Sequence, residues 1–213
     1  MPLLRIWKED EGLWGIWHVT ETTEELRRCL SDEMLEQELA RLKAPSRKLE
    51  CLAVRVLLKA MRGKEGQIGH EPSGKPFLIN ENSRISISHT KNYVAIGLHE
   101  TASPGIDIEM YGERVRKVAP RFIREDEMPD RLCMKPQEEL YQLLLHWSAK
   151  ETMFKILDCV EVDFLKHLKV CPFQLASSGS FEGESFRMNK NRHFTVHYLT
   201  HAEFVCTYCV DTE

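Results

Sequence analysis

Alternating apolar and polar positions predict β-strands in several parts of the chain. In the segment 84–88, Arg-Ile-Ser-Ile-Ser, an apolar side chain recurs at every second position. This spacing places the apolar side chains on one face of a strand and the polar ones on the other. Strands are predicted from such alternation, or from β-branched and aromatic content, at 84–88, 93–98, 105–109, a first segment ending at Thr20 and several short segments after Val170. A turn is predicted at the serine- and glycine-rich segment 177–180.

Apolar residues recur at helical spacing between residues 46 and 61. Pro45 is typical of a helix start, and Gly63 is typical of the position just after a helix end. Further helices are predicted to begin near Thr23 and to span 115–122 and 138–157. The break at 101–105, Thr-Ala-Ser-Pro-Gly, is the best boundary between two halves, 1–103 and 104–213.

Composition and charge indicate an ordinary soluble globular protein. The formal net charge of -4 gives no general case for nucleic-acid binding. No apolar run approaches the roughly 20 residues of a membrane-spanning helix, and the first ten residues lack the apolar run of a signal peptide. The seven scattered cysteines suit a reducing compartment better than a disulfide framework. We therefore expect a cytoplasmic protein that binds neither nucleic acid nor membrane.

Two patterns near the C-terminus resemble metal-binding motifs but are better explained by strands. Cys206 and Cys209 form a lone CxxC among strand-forming residues, where side chains three positions apart face opposite sides. His193, His197 and His201 are four residues apart, and four strand residues span about 13 Å. That distance is too long for these histidines to share one ion, so zinc is not expected at either pattern.

Two acidic residues alternate with isoleucines in the predicted strand Gly105-Ile-Asp-Ile-Glu109. Asp107 and Glu109 therefore project from one strand face, where their negative charges repel each other. A hard cation such as magnesium would neutralise them and leave room for phosphate. The alternative is a solvent-exposed edge strand whose acidic face binds nothing.

A second charged group lies on the helix 138–157, in the segment Trp147-Ser-Ala-Lys-Glu-Thr-Met-Phe-Lys155. Glu151 and Lys155 are four residues apart and share a helix face with Trp147, which lies one turn earlier. A third carboxylate with a nearby cation could complete a metal site and contact a phosphate group. The alternative is an ordinary surface ion pair beside a buried tryptophan.

The segments Gly74-Lys75-Pro76 and Ser88-His89-Thr90 supply a loop and a strand end with phosphate-binding side chains. Together with the two acidic segments and in this order, they resemble the 4′-phosphopantetheinyl transferase superfamily. The chain length resembles the long surfactin-synthetase-activating type. The resemblance implies an α+β fold of two similar halves related by pseudo-twofold symmetry, with the active site in the cleft between them. A monomer is sufficient for such a site and is expected.

The resemblance also implies a role for each matching residue. Magnesium would bind Asp107, Glu109 and Glu151, and Lys155 would lie near the pyrophosphate of the co-substrate, coenzyme A. The other implied coenzyme A contacts are Arg47, Lys48, Lys75, Pro76, Ser88, His89 and Lys150. For Arg47 and Lys48, the alternative is a solvated basic helix face.

The implied reaction is transfer of 4′-phosphopantetheine to a serine of an apo acyl, peptidyl or aryl carrier protein, with release of 3′,5′-ADP. Glu151 would accept the serine proton, directly or through a metal-bound water, and Lys155 would stabilise the leaving phosphate. A basic cluster could attract an acidic carrier: Arg114, Arg116, Lys117, Arg121 and Arg124. The alternative is a solvated helix face that binds no partner. Two alternatives remain, namely another magnesium-dependent phosphotransferase or nuclease, and a catalytically silent carrier-binding module.

Overall fold

A computed structural model describes residues 2–31, 34–128, 130–157, 162–187 and 190–211. The chain divides into two units, Met1–Thr101 and Ala102–Glu213. Each unit has a main antiparallel sheet with helices packed on it, which confirms the expected α+β class. Within the described residues, no helix is both long and apolar enough to cross a membrane.

The first unit is an antiparallel sheet covered by helices. Its elements in chain order are β1 (Leu3–Glu9), β2 (Gly12–His18), α1 (Thr23–Arg28), α2 (Met34–Arg41), α3 (Pro45–Arg62), β3 (Ile68–His70), β4 (Pro76–Leu78), β5 (Arg84–Thr90) and β6 (Tyr93–His99). The sheet has the strand order β1-β2-β6-β5, and β3 pairs with β4 in a separate ribbon. The sequence did not predict α2, β3 or β4, whose short segments carry little periodic signal.

Helix α3 covers this sheet and follows the predicted boundaries closely. Pro45 lies in the first turn, where a missing N–H costs nothing, and the helix ends where Gly63 adopts a φ of 72°. The apolar stripe of α3, including Leu52 and Leu57, is buried against β2 and β6. The first turn of α3 leaves Arg47 exposed, so this side chain remains accessible to a ligand.

The second unit is a five-stranded antiparallel sheet with one long helix across it. Its elements are β7 (Pro104–Met110), α4 (Arg114–Val118), α5 (Pro136–Leu157), α6 (Phe164–His167), β8 (Leu168–Val170), β9 (Ser178–Arg187), β10 (Lys190–Thr200) and β11 (Phe204–Val210). The strand order is β7-β11-β10-β9-β8. Helix α5 packs mainly on β7 and β11, and its buried side chains form the centre of the core. This packing brings one helix against the strand that carries Asp107 and Glu109.

The predicted turn at 177–180 is wrong, because β9 begins at Ser178 and continues through this segment. Gly179 pairs with Tyr198 of β10. A Cβ atom at Gly179 would lie only 3.2 Å from the Tyr198 ring. The glycine therefore makes room for a cross-strand aromatic ring rather than for a chain reversal.

Candidate active site

Strand β7 positions the two acidic residues at the edge of the second unit's sheet. In the pairing of β7 with β11, Asp107 lies opposite Thr207 and Glu109 lies opposite Val205. Residues two apart on a strand project from the same face. The Asp107 side chain is buried, whereas Glu109 is half-buried. The predicted side-by-side arrangement of these carboxylates is therefore present.

Lys155 of α5 pairs with strand β7 rather than with its helical neighbour Glu151. Its Nζ atom donates to Asp107 Oδ1 at 2.9 Å and to the carbonyl oxygen of Ile106 at 2.8 Å. The Lys155 side chain is only 25% exposed. The alternative of a simple Glu151–Lys155 surface pair does not describe this lysine, whose ammonium group is held at the acidic strand.

Trp147 makes a polar contact that the sequence did not predict. Its indole Nε1 donates to Glu109 Oε1 at 2.8 Å, while its ring packs edge-on against Phe122 at a centroid distance of 5.1 Å. The sequence did contain a signal that Trp147 lies near the acidic residues. Trp147 lies one turn before Glu151, so both side chains share one face of α5. Trp147 thus anchors α5 in the core and also orients one of the acidic side chains.

We refer to Asp107, Glu109 and Glu151 as the carboxylate cluster. Burial, and next the negative charge of Asp107, raise the pKa of Glu109 to about 7, against the hydrogen bond from Trp147. The same two causes raise the pKa of Glu151 to about 7, against the positive charge of Lys155. The three carboxylates therefore repel one another in a partly dry site, and one lysine compensates them only in part.

The chemistry of the carboxylate cluster suits magnesium, although its side chains do not surround a single point. Among the described residues, no three His, Cys, Asp or Glu side chains are positioned to hold a metal ion together. In this structure, Lys155 engages Asp107 and Trp147 engages Glu109. Oxygen ligands with excess negative charge are nevertheless what magnesium prefers. The donor set therefore fits the implied metal, and the binding roles stay predictions.

The position of Lys150 does not fit its implied contact with coenzyme A. Its side chain is fully buried, and Nζ lies 2.7 Å from Glu127 Oε1. Nζ also donates to the carbonyl oxygens of Phe122 at 2.6 Å and Phe164 at 3.1 Å. Glu127 in turn accepts a hydrogen bond from the backbone N–H of Val170. Lys150 therefore ties α5 to the start of α6 and to the segment 122–127, and presents no cation at the surface.

In the first unit, Arg47 and His89 lie together at a cavity of about 170 Å³. Arg47 Nη1 is 3.1 Å from His89 Nε2 and 2.9 Å from Glu50 Oε2. Val54 and Ile87 contribute apolar surface to the same cavity. An arginine and a histidine beside apolar walls match the chemistry of a nucleotide with phosphate groups. Their predicted ligand contacts remain predictions.

The other implied coenzyme A residues of the first unit are not gathered at this cavity. Lys48 lines a separate depression beside Thr23 and Arg27. Pro76 begins β4, and Lys75 precedes it directly. Ser88 is buried within β5, next to the exposed His89. Arg47 and His89 are thus the pair for which the structure offers a shared site.

The basic segment of the second unit separates into two groups. Arg116 pairs with Glu113 and Glu139, and Arg124 pairs with Asp126. The remaining cations are exposed and form no ion pair within the described part of the chain: Arg114, Lys117 and Arg121. We call these three residues the basic face. Within the described segment 114–124, the basic face is the part whose positive charge stays available for a partner.

Comparison with known protein families identifies the second unit. The sequence model of the 4′-phosphopantetheinyl transferase superfamily matches residues 103–209, which is half of the chain and includes the carboxylate cluster and Lys155. No protein of curated function matches the chain significantly. The chain belongs to this superfamily and is thereby a transferase of the phosphopantetheinyl class.

Proposed function

We propose that this member of the 4′-phosphopantetheinyl transferase superfamily moves 4′-phosphopantetheine from coenzyme A to a serine of an apo carrier protein. The observation that carries the proposal is the meeting of β7 and α5. There, Asp107 of the strand is paired with Lys155 of the helix at 2.9 Å. Burial, and next the nearby charge of Asp107, raise the pKa of both Glu109 and Glu151. Clustered carboxylates with one cation are suited to a phosphate-bearing substrate and a divalent ion.

In the proposed reaction, the hydroxyl oxygen of the carrier serine attacks the β-phosphorus of coenzyme A. A new phosphorus–oxygen bond forms, and the bond from this phosphorus to the bridging oxygen breaks. The leaving group, 3′,5′-ADP, takes the bridging oxygen and its electron pair. Negative charge develops on the pyrophosphate oxygens, so electrostatic stabilisation supplies much of the catalysis.

The contacts at this site support a proposed role for each residue. Magnesium held by the carboxylate cluster would neutralise charge on the pyrophosphate. Lys155, fixed by the Ile106 carbonyl and Asp107, presents its ammonium group to the leaving phosphate. Glu151, close to Asp107 and Lys155, would accept the serine proton, directly or through a metal-bound water.

Coenzyme A would contact the first unit through Arg47 and His89. The guanidinium and imidazole nitrogens are 3.1 Å apart, so one phosphate group can bridge them. Apolar side chains of the same cavity, including Val54 and Ile87, offer a surface for the adenine ring.

The carrier protein would be acidic near its serine and would bind beside the basic face. Arg114 and Lys117 are three residues apart in α4 and so are neighbours on its surface, and Arg121 ends the 3₁₀ turn Ala119–Arg121 that follows. Their positive charge is a local feature of the surface, because the chain as a whole carries a net negative charge. An acidic carrier is therefore attracted to this face and weakly repelled elsewhere.

The test is incubation of the protein with coenzyme A, magnesium and a panel of apo carrier proteins, followed by intact-mass measurement. We expect one phosphopantetheine mass to be added to at least one carrier. Asp107→Asn removes the charge at the centre of the carboxylate cluster and should abolish transfer. Glu182→Gln changes an exposed acid on the same sheet and should leave transfer unchanged. No mass gain on any carrier, together with no binding of coenzyme A, would refute the proposed function.

A further inference from the structure

Three buried hydroxyl groups join helix α5 to strand β11. Ser148 Oγ lies 2.9 Å from Thr207 Oγ1, and Thr152 Oγ1 lies 2.7 Å from the same atom. Thr152 Oγ1 also donates to the carbonyl oxygen of Thr207 at 3.2 Å. All three side chains have zero exposure to solvent. We call Ser148, Thr152 and Thr207 the hydroxyl triad.

One arrangement of protons satisfies the whole hydroxyl triad. Thr152 donates to the Thr207 carbonyl, Thr207 donates to Thr152 Oγ1, and Ser148 donates to Thr207 Oγ1. Every hydroxyl then donates once, so no buried donor is left without an acceptor. The only sequence signal for this arrangement is the four-residue spacing of Ser148 and Thr152, which places both on one helix face.

Hydrogen bonds constrain a helix on a sheet in a way that apolar contacts do not. Apolar packing is non-directional, and similar packing energies can be reached at slightly different helix positions. A hydrogen bond weakens steeply when its angle or length changes. The hydroxyl triad therefore selects one position of α5 along β11.

The position that the hydroxyl triad selects is the one on which the candidate site depends. Thr207 lies directly opposite Asp107 in the pairing of β11 with β7. Thr152 directly follows Glu151 in α5. Ser148 follows Trp147, whose indole donates to Glu109 at 2.8 Å. Each member of the hydroxyl triad is thus adjacent to a member of the carboxylate cluster or to its partner.

We propose that Ser148, Thr152 and Thr207 are positioning residues, which hold α5 where Glu151, Lys155 and Trp147 meet the acidic strand. They touch no substrate themselves. The consequence for turnover rests on the proposed function, but the consequence for the geometry of α5 does not.

The first measurement is independent of activity and uses the indole N–H resonance of Trp147 in a proton–nitrogen NMR spectrum. Its assignment follows from the loss of one indole signal in Trp147→Phe. We compare the wild-type chain with the triple variant Ser148→Ala/Thr152→Val/Thr207→Val, which replaces the hydroxyl triad by apolar side chains of similar size. We expect the Trp147 signal to move toward the position of an indole without a carboxylate partner and to exchange faster with water. An unchanged signal in a folded triple variant would overturn the proposal.

The triple variant also separates positioning from stability. Thr207→Val alone leaves the buried Ser148 hydroxyl without its acceptor, while Thr152 keeps its bond to the Thr207 carbonyl. This variant should lower the melting temperature by several degrees, whereas the triple variant leaves no hydroxyl unpaired and should recover most of this loss. Its kcat for transfer should nevertheless stay about tenfold or more below the wild-type value, with a smaller change in KM. If the triple variant recovers both stability and kcat, the hydroxyl triad contributes to stability alone and does not position α5.

Two controls complete the experiment. Thr207→Ser keeps the hydroxyl and should restore the Trp147 signal and kcat. Val196→Ala truncates a buried side chain of the same sheet and should lower the melting temperature without moving the Trp147 signal. If wild-type protein transfers nothing to any carrier, the proposed function fails while the NMR comparison still decides the positioning role. If Thr207→Ser behaves like Thr207→Val, the hydroxyl is not the cause and the positioning role is wrong.

Discussion

At the scale of single residues, the partner of Lys155 changes the interpretation of the helical motif. A lysine four residues after a glutamate usually forms an exposed pair that contributes about 0.3–0.5 kcal/mol. Here Lys155 crosses to β7 and binds Asp107 and a backbone carbonyl. The positive charge of Lys155 thus lies at the carboxylate cluster, where it offsets the repulsion between the carboxylates. An exposed Glu151–Lys155 pair would not reduce that repulsion.

Glu151 and Lys155 should therefore act on one reaction centre. Glu151→Gln would remove a proposed metal ligand and proton acceptor, and we expect kcat to fall by about 100-fold or more. Lys155→Met keeps the stem but removes the cation, and we expect a fall of about 10- to 100-fold with little change in coenzyme A affinity. The losses in the double variant should be less than additive, because both residues serve the same transition state. Steady-state kinetics of all three variants provides the measurement.

The control for this prediction is Lys166→Met, which removes an exposed lysine paired with Asp163 in the same unit. Its kinetics should match the wild-type protein. Near-normal kcat in both Glu151→Gln and Lys155→Met would contradict the catalytic roles and favour the exposed ion pair.

Arg47 and Lys48 should differ in their effect on coenzyme A. Arg47 lies beside His89 at the cavity, whereas Lys48 lines a separate depression. A hydrogen bond to a charged group contributes about 1.5–3 kcal/mol, so Arg47→Ala should weaken coenzyme A binding about tenfold or more. The effect should be smaller for 3′-dephospho-coenzyme A if Arg47 binds the 3′-phosphate. Calorimetry with both ligands tests this, and Lys48→Ala serves as the matched control.

Equal weakening of both ligands by Arg47→Ala would contradict a 3′-phosphate contact. An effect of Lys48→Ala as large as that of Arg47→Ala would show that the ligand reaches the second depression instead.

The sequence predicted the charged residues of β7 and α5 but could not predict all of their partners. Two carboxylates at i and i+2 of a strand, and a glutamate and lysine at i and i+4 of a helix, have fixed relative directions. The contact of Lys150 with Glu127 has no such periodicity, because the two residues belong to separate segments 23 positions apart. An adjacent lysine in the same motif therefore looked like a phosphate ligand, although it is fully buried.

At the scale of elements, long periodic segments were predicted well and short ones were not. Helix α3 and strands β5 and β6 follow the apolar pattern from end to end. Helix α2 and the β3–β4 ribbon were missed, because three to eight residues provide too few repeats to define a period. The segment 177–180 was assigned to a turn because glycine and serine favour turns, but pairing with β10 keeps it extended.

The contact between β7 and α5 depends on the absence of a side chain at Gly105. A Cβ atom there would lie 2.5 Å from the carbonyl oxygen of Thr152 and 2.9 Å from Ile156 Cγ1. Gly105→Ala should therefore push α5 away from the strand and lower stability by about 1–3 kcal/mol. Because this shift separates Lys155 from Asp107, kcat should fall as well. Urea denaturation and transfer kinetics measure the two effects.

Gly112→Ala is the matched control for Gly105→Ala, because a Cβ atom at Gly112 would meet no atom within 4 Å. Its effect on stability should stay within about 0.5 kcal/mol. Equal stability and kcat in the two variants would mean that the close approach at Gly105 does not position the helix.

At the scale of the whole molecule, the division into two units lies at Thr101 and Ala102, close to the Ser-Pro-Gly break in the sequence. The sequence indicated a boundary here because the segment 101–105 separates two strand patterns, although Pro104 and Gly105 belong to β7 itself. The predicted pseudo-twofold relation and the assignment of coenzyme A to the first half stay predictions. Neither follows from local periodicity, which describes elements but not the relation between units.

The distribution of charge over the molecule leads to a prediction about partner binding. The chain carries a formal charge of -4, yet the three cations of the basic face have no acidic partner within the described residues. Changing all three to glutamine should lower kcat/KM for an acidic carrier about tenfold at low salt and flatten its dependence on salt, while KM for coenzyme A stays unchanged. A control triple change of the exposed Lys8, Lys64 and Lys166 to glutamine alters the net charge equally. If both triple variants slow carrier modification alike, attraction depends on net charge and the basic face is not the docking surface.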